Sequence, residues 1–257
     1  MNQQLRVNGH KLALAISGPE DGPVVVFLHH GLGAIRSWKG QLEAFNSAGF
    51  RVLAYDRFGH GKSESRVQWG MPDFEQDLAD LQAILAEFAF AQVSLIGHSD
   101  GGNIALLYAL KYPQQVNCLV IIAAHIYIEA KMSSGINSIK RQFENDLRFQ
   151  EQMRRVHAEN SESLFWGWFN CWTNPSVQNW DMRPSLAQIG CPTLVVQGTD
   201  DEHATPQHAR DLAASIPGAQ LMLVTGAGHM LPQEQPDQIN LRLLRFLEQA
   251  LAAKFDH

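Results

Sequence analysis

Apolar positions along this chain fall into two patterns: short unbroken runs, and stripes spaced three and four residues apart. Val24–Leu28, Val52–Tyr55, Val93–Ile96 and Leu119–Ala123 are near-continuous apolar runs. Runs of that length suit strands buried on both faces of a parallel sheet. Thr193–Val196 and Leu221–Val224 continue the series toward the C-terminus. Leu5–Val7 and Leu12–Ile16 flank Asn8-Gly9, a dipeptide that favours a two-residue hairpin, and so predict an antiparallel pair at the start.

The stripes lie between the runs. Phe74, Leu78, Leu81, Leu85 and Phe88 recur at helical spacing, with Glu75, Asp77, Asp80 and Gln82 between them. Ile239, Leu243, Phe246, Leu247 and Leu251 form a similar stripe near the end, and Gly102 to Tyr112 also reads as a helix. Strands alternating with helices predict an α/β fold, a wound sheet with helices on both faces. Residues 126–185 break the rhythm. They carry no strand pattern, are charged early (Lys140, Arg141, Glu144, Asp146, Arg148) and are rich in tryptophan late (Trp166, Trp168, Trp172, Trp180). This division predicts a core from 1–125 and 186–257 with a helical cap over 126–185. A cap there would lie over the carboxyl ends of the strands, where open α/β sheets bind ligands.

Composition narrows the function. Apolar residues make up 45% and charged residues 18% of 257, an ordinary globular balance. The net charge is -6 and no Lys/Arg cluster stands out, so a nucleic-acid partner is not expected. No window approaches a membrane span, and no basic stretch followed by an apolar run opens the chain. Cys118, Cys171 and Cys191 have neither metal nor redox spacing, and Cys118 sits in an apolar run. These features together give the expectation of a cytoplasmic protein acting on a small molecule, without a membrane partner.

One motif carries chemistry. Gly97-His98-Ser99-Asp100-Gly101 lies between a predicted strand and a predicted helix. The small residues at 97 and 101 allow a tight turn that projects the serine hydroxyl from the sheet end, and the helix amino end favours an oxyanion. A serine hydroxyl needs a base, and the base an orienting acid. In chain order the slots are filled by Asp201, in Gly198-Thr199-Asp200-Asp201, and His229, in Gly226-Ala227-Gly228-His229. Asp201 is preferred to its neighbour Asp200. Of the two N–H donors an oxyanion requires, one falls to Asp100 and the other to Leu32, in the loop His29-His30-Gly31-Leu32-Gly33.

Taken together, His30-Gly31-Leu32-Gly33, Asp56-Arg57-Phe58-Gly59-His60-Gly61-Lys62-Ser63, Gly97-His98-Ser99-Asp100-Gly101-Gly102, Gly198-Thr199-Asp200-Asp201 and Gly228-His229 resemble the α/β-hydrolase superfamily across nearly the whole chain. The resemblance implies an eight-stranded, mostly parallel sheet with a helical cap after the sixth strand, and neither cofactor nor metal. Ser99-Asp100-Gly101-Gly102 is similar to the Ser-Asp-Gly-Gly of valacyclovir-hydrolase (biphenyl-hydrolase-like) enzymes.

A carboxylate at Asp100 would repel a nearby oxyanion unless paired. Either a substrate ammonium pairs it, as the amino-ester hydrolases imply, or the side chain serves the helix end or a neighbouring group. Trp166 and His125 are candidate substrate contacts beside Asp100, although tryptophans in a helical lobe more often form its core and His125 can equally be structural. His98 and His60 read as supports, and Asp56 with Arg57 as a loop-stabilising pair. The function expected is a carboxylesterase working through a Ser99–His229–Asp201 acyl-enzyme, with amino-bearing esters as one preference. Carbon–carbon bond hydrolysis, perhydrolysis and a slow-hydrolase ligand receptor are the alternatives.

Overall fold

The computed structural model describes residues 2–69 and 74–255. The strands are β1 (Asn2–Val7), β2 (His10–Ser17), β3 (Val24–Leu28), β4 (Arg51–Tyr55), β5 (Val93–His98), β6 (Val116–Ile122), β7 (Thr193–Gly198) and β8 (Gln220–Val224). They form one sheet in the order β1-β2-β4-β3-β5-β6-β7-β8. β1 and β2 pair antiparallel through a turn in which Asn8 and Gly9 both take positive φ, 48° and 90°. That geometry matches the right-handed twist of the flanking strands. β2 meets β4 antiparallel, and every later pairing is parallel.

The helices are α1 (Lys39–Ser47), α2 (Glu75–Glu87), α3 (Asp100–Lys111), α4 (Ala130–Asn145), α5 (Leu147–His157), α6 (Ser161–Thr173), α7 (Arg183–Leu186), α8 (Gln207–Ser215), α9 (Leu231–Glu234) and α10 (Pro236–Phe255). Their apolar stripes explain the unbroken strand runs. Alternate strand residues point to opposite faces. Val26, Leu28, Leu53, Leu95 and Ile121 therefore join a core with α2, α3 and α8. Val25, Phe27, Val52, Ile96 and Val120 join a second core with α1 and α10. Each such side chain, fully buried, contributes roughly 1.5–3 kcal/mol, so the sheet is anchored from both sides. Cys118 belongs to the second core.

Between β6 and β7 the chain leaves the sheet and builds α4 to α7. An isolated antiparallel bridge joins Tyr127 to Asp181, near both ends of this excursion. Asp146 separates α4 from α5 and caps the latter, its carboxylate accepting from the N–H groups of Arg148 and Phe149. Among the described residues no helix is long and apolar enough to cross a membrane.

Candidate active site

The turn from β5 to α3 is tight. Ser99 adopts φ 54° and ψ -121°, a strained conformation for a residue with a side chain. Its neighbours must be small. A methyl group at Gly97 would run into the carbonyl oxygen of Gly101, and one at Gly101 into that of Leu28. The Ser99 N–H donates to Ile122 O at 2.8 Å, and its carbonyl accepts from Gly102 and Asn103. These bonds hold the backbone while the side chain faces a cavity, and among the described residues its hydroxyl has no hydrogen-bond partner.

Asp201 and His229 come from the loops after β7 and β8. His229 Nδ1 lies 2.8 Å from Asp201 Oδ2. The carboxylate is fully buried yet saturated: Oδ2 also accepts from Gln197 Nε2 at 2.6 Å, and Oδ1 from the N–H groups of His203 and Ala204. Burial opposes its charge, but the imidazole charge and these hydrogen bonds outweigh burial and hold Asp201 below the usual carboxylate range. Burial likewise opposes protonation of His229, and the Asp201 charge outweighs it, so the imidazole is raised above its ordinary 6.5. With Nδ1–H directed at Asp201, Nε2 is left to accept a proton. The neighbouring Asp200 instead bonds Thr199 Oγ1 at an exposed position. Two residues before α4 and within it brace this loop. Lys131 Nζ donates to Asp201 O, and Glu129 accepts from the N–H and hydroxyl of Thr205.

Leu32 lines the cavity together with Ser99 and Asp100. Among the described residues neither the Leu32 N–H nor the Asp100 N–H has a hydrogen-bond partner, so both are free to bind an anion. The Leu32 loop is fixed from behind. His60 Nε2 lies 3.0 Å from Gly31 O, and His157 at the end of α5 bridges two loops. Gly61 N–H donates to His157 Nδ1 at 2.9 Å, which leaves Nε2–H to donate to Leu32 O at 3.1 Å. His98 Nε2 donates to His229 O at 2.9 Å. Both His60 and His98 therefore serve as supports.

The Asp100 carboxylate is buried and faces Arg57, with Nη2 3.9 Å from Oδ2. Arg57 also binds Asp77 at 3.2 Å and His30 O at 3.3 Å. Burial raises Asp100 to about 6, and the Arg57 charge and a hydrogen bond from Trp172 restrain that rise. The expected Asp56–Arg57 pair does not form. Asp56 accepts instead from the N–H groups of Ile35 and Lys62, at 2.7 and 2.8 Å. Consecutive side chains leaving the end of β4 point to opposite sides of the sheet, which sends the two to different partners.

The cavity holds about 730 Å³ and is roofed by α4, α5 and α6. Trp168 and Trp172 line it, whereas Trp166 does not. The correction follows from helix geometry. Positions 168 and 172 share one face of α6, and 166 lies about 200° around the axis from 168. Trp166 packs against Phe143, Phe165 and Phe169 on the outer side. His125 does line the cavity, stacked on His229 with ring centroids 5.7 Å apart, and its carbonyl also holds the Asn103 amide. Arg57, Lys131, Glu129 and His203 were not expected at the site. All but His203, which shares the Asp201 loop, reach it from distant segments, and only the Asp56-Arg57 motif gave any signal. Among the described residues no group of three or more His, Cys, Asp or Glu side chains is arranged to hold a metal ion.

Comparison with known proteins agrees with this fold. Residues 25–241 match the profile of the alpha/beta hydrolase family. The chain is 29% identical to proline iminopeptidase PfmaB of Pestalotiopsis fici, over 96% of this chain and all of that protein. It is 27% identical to the bifunctional esterase/perhydrolase DCH of Acinetobacter calcoaceticus, over 90% of this chain and 93% of its relative. It is 28% identical to 2-hydroxy-6-oxo-6-phenylhexa-2,4-dienoate hydrolase of Burkholderia cepacia, over 88% of each.

Proposed function

The chain belongs to the α/β-hydrolase family, and we propose that it is a serine hydrolase that cleaves small carboxylic esters through an acyl-enzyme. The observation that carries this reading is the 2.8 Å Asp201–His229 pair opening onto the same cavity as a serine held at φ 54°. Ser99 Oγ attacks the ester carbonyl carbon while His229 Nε2 takes the hydroxyl proton. Asp201 keeps the imidazole in the right tautomer and stabilises its charge. The N–H groups of Leu32 and Asp100 bind the developing oxyanion. Collapse breaks the ester C–O bond, and His229 returns the proton to the departing alcohol. Water, activated by His229, then releases the acid and regenerates Ser99.

Asp100 already has a cation at 3.9 Å, so the reading does not require a substrate ammonium beside the nucleophile. The relative described as an esterase supports an ester substrate. A second reading on the same residues is perhydrolysis or carbon–carbon bond hydrolysis, and the descriptions of two relatives favour it. A panel of aryl esters, amino-acid esters and ring-cleavage diketones separates the readings. Turnover of esters by the wild type, with none by Ser99→Ala and labelling of Ser99 by a fluorophosphonate, is the expected result. A folded protein whose Ser99 resists the probe overturns the mechanism.

A further inference from the structure

The charged groups lining the cavity are unevenly paired. Two carboxylates line it, and both are engaged. Asp100 faces Arg57 at 3.9 Å, while Glu202 accepts from His229 N at 3.0 Å and lies 3.5 Å from His203 Nε2. Among the described residues two arginines also line it, both exposed: Arg36 just beyond the Leu32 loop and Arg141 on α4. Among the described residues neither has a carboxylate within 4 Å. Uncharged polar groups accompany them, among them Ser37, Ser138, Gln142 and Gln233, while Met132, Ile136, Met153 and Trp168 furnish apolar wall.

Arg36 has a second position of note. With Val156 it lines both this cavity and an adjoining open cleft of about 850 Å³. Lys39 and Lys62 line that cleft too, as does Arg155, which pairs with Glu151 at 2.9 Å. Its acids are Glu43 and Asp56, and Asp56 is committed to the N–H groups of Ile35 and Lys62. In a chain of net charge -6, Arg36, Lys39 and Lys62, none in an ion pair among the described residues, are thus gathered on one approach to Ser99. Such a field raises the local concentration of anions and orients them.

We propose that the substrate is an ester carrying a carboxylate away from the bond that is cut, and that Arg36 and Arg141 select it. The inference rests on the ester reading above and adds the substrate class. The apolar wall accepts the chain between the two functional groups, and the guanidinium groups take the distal anion in bidentate fashion.

The test compares 4-nitrophenyl hexanoate with mono-4-nitrophenyl adipate, equal in chain length and different in terminal charge. The wild type should favour the adipate in kcat/KM by roughly five- to tenfold at low salt, with the preference shrinking as salt screens it. The ratio should fall toward one in the Arg36→Gln/Arg141→Gln double variant and survive in the double Lys variant. A wild-type ratio at or below one, or a ratio that the Gln substitutions leave unchanged, overturns the proposal. If Ser99 is labelled by a fluorophosphonate but neither ester turns over, protection from labelling decides: monoethyl adipate must protect better than diethyl adipate. A folded wild type that neither turns over an ester nor accepts the label refutes the ester reading itself, a result distinct from the loss of selectivity alone.

Discussion

Arg57 Nη2 and Asp100 Oδ2 face each other at 3.9 Å, both buried, with Asp100 one residue along from Ser99. The charge beside the reacting hydroxyl is therefore countered from within the protein. Arg57→Met strips the cation from Asp100 and leaves Asp77 only Arg66, at 4.0 Å, and breaking a buried pair in this way costs about 3–5 kcal/mol. Asp100→Asn should cost less, because Arg57 keeps Asp77 at 3.2 Å. Urea unfolding of the two variants measures the difference. An Arg57→Met protein as stable as the wild type contradicts this account of the site.

The pH dependence of activity follows from His229. Its folded pKa lies above 6.5, so the neutral base form grows with pH and kcat/KM for a neutral ester should rise to a plateau above that value. Asp201→Asn removes the charge that raises the pKa. Burial then dominates, and the limb should move to lower pH while the plateau drops by about 10⁴, the scale expected when the imidazole tautomer is lost. Asp100, at about 6, titrates in the same range, and the Asp100→Asn profile separates the two groups. A limb unmoved by Asp201→Asn would falsify the assignment of the acid.

Backbone strain at Ser99 has its own signature. Ser99→Ala retains the strained φ of 54° and ψ of -121°, whereas Ser99→Gly relieves it. Relief of one such residue contributes on the order of 1–3 kcal/mol, reduced by the greater unfolded-state entropy of glycine. Both variants should be inactive, and the glycine variant should melt at the higher temperature by calorimetry. Equal melting temperatures would mean that the turn stores no strain.

Acid should weaken the fold before it removes ion pairs. Burial, first among the causes, holds His29, His30, His60 and His125 well below 6.5 and His98 at about 3. These imidazoles stay neutral in the folded protein and protonate in the unfolded chain once pH falls below about 6.5. Stability is then lost progressively from that pH down toward the folded values, at up to about 1.4 kcal/mol per pH unit for each such group. Thermal melts between about pH 7.5 and 5 should show a steep fall in Tm. A flat profile there would mean that these histidines are hydrated or paired.

The sheet was legible because its central strands are buried on both faces, and unbroken apolar runs are hard to read otherwise. β5 extends two residues past the expected Ile96 because Gly97 and His98 are chosen for the turn and not for apolarity. The gathering of Ser99, Asp201 and His229 was legible because each sits at the end of a readable strand. Trp166 was misplaced because the phase of α6, not its tryptophan content, decides which rings face inward. Arg57 escaped notice as the partner of Asp100 because 43 positions separate them and only the β3–β4–β5 packing brings them together.

His157 ties the roof to the anion-binding loop, and this has a consequence for how size is discriminated. The imidazole, held at about 4 first by burial, bonds Gly61 N–H on one side and Leu32 O on the other. A molecule too bulky for the chamber must lift α5, and lifting α5 pulls on the peptide that presents the Leu32 donor. Oversized substrates should therefore still dock, but react slowly.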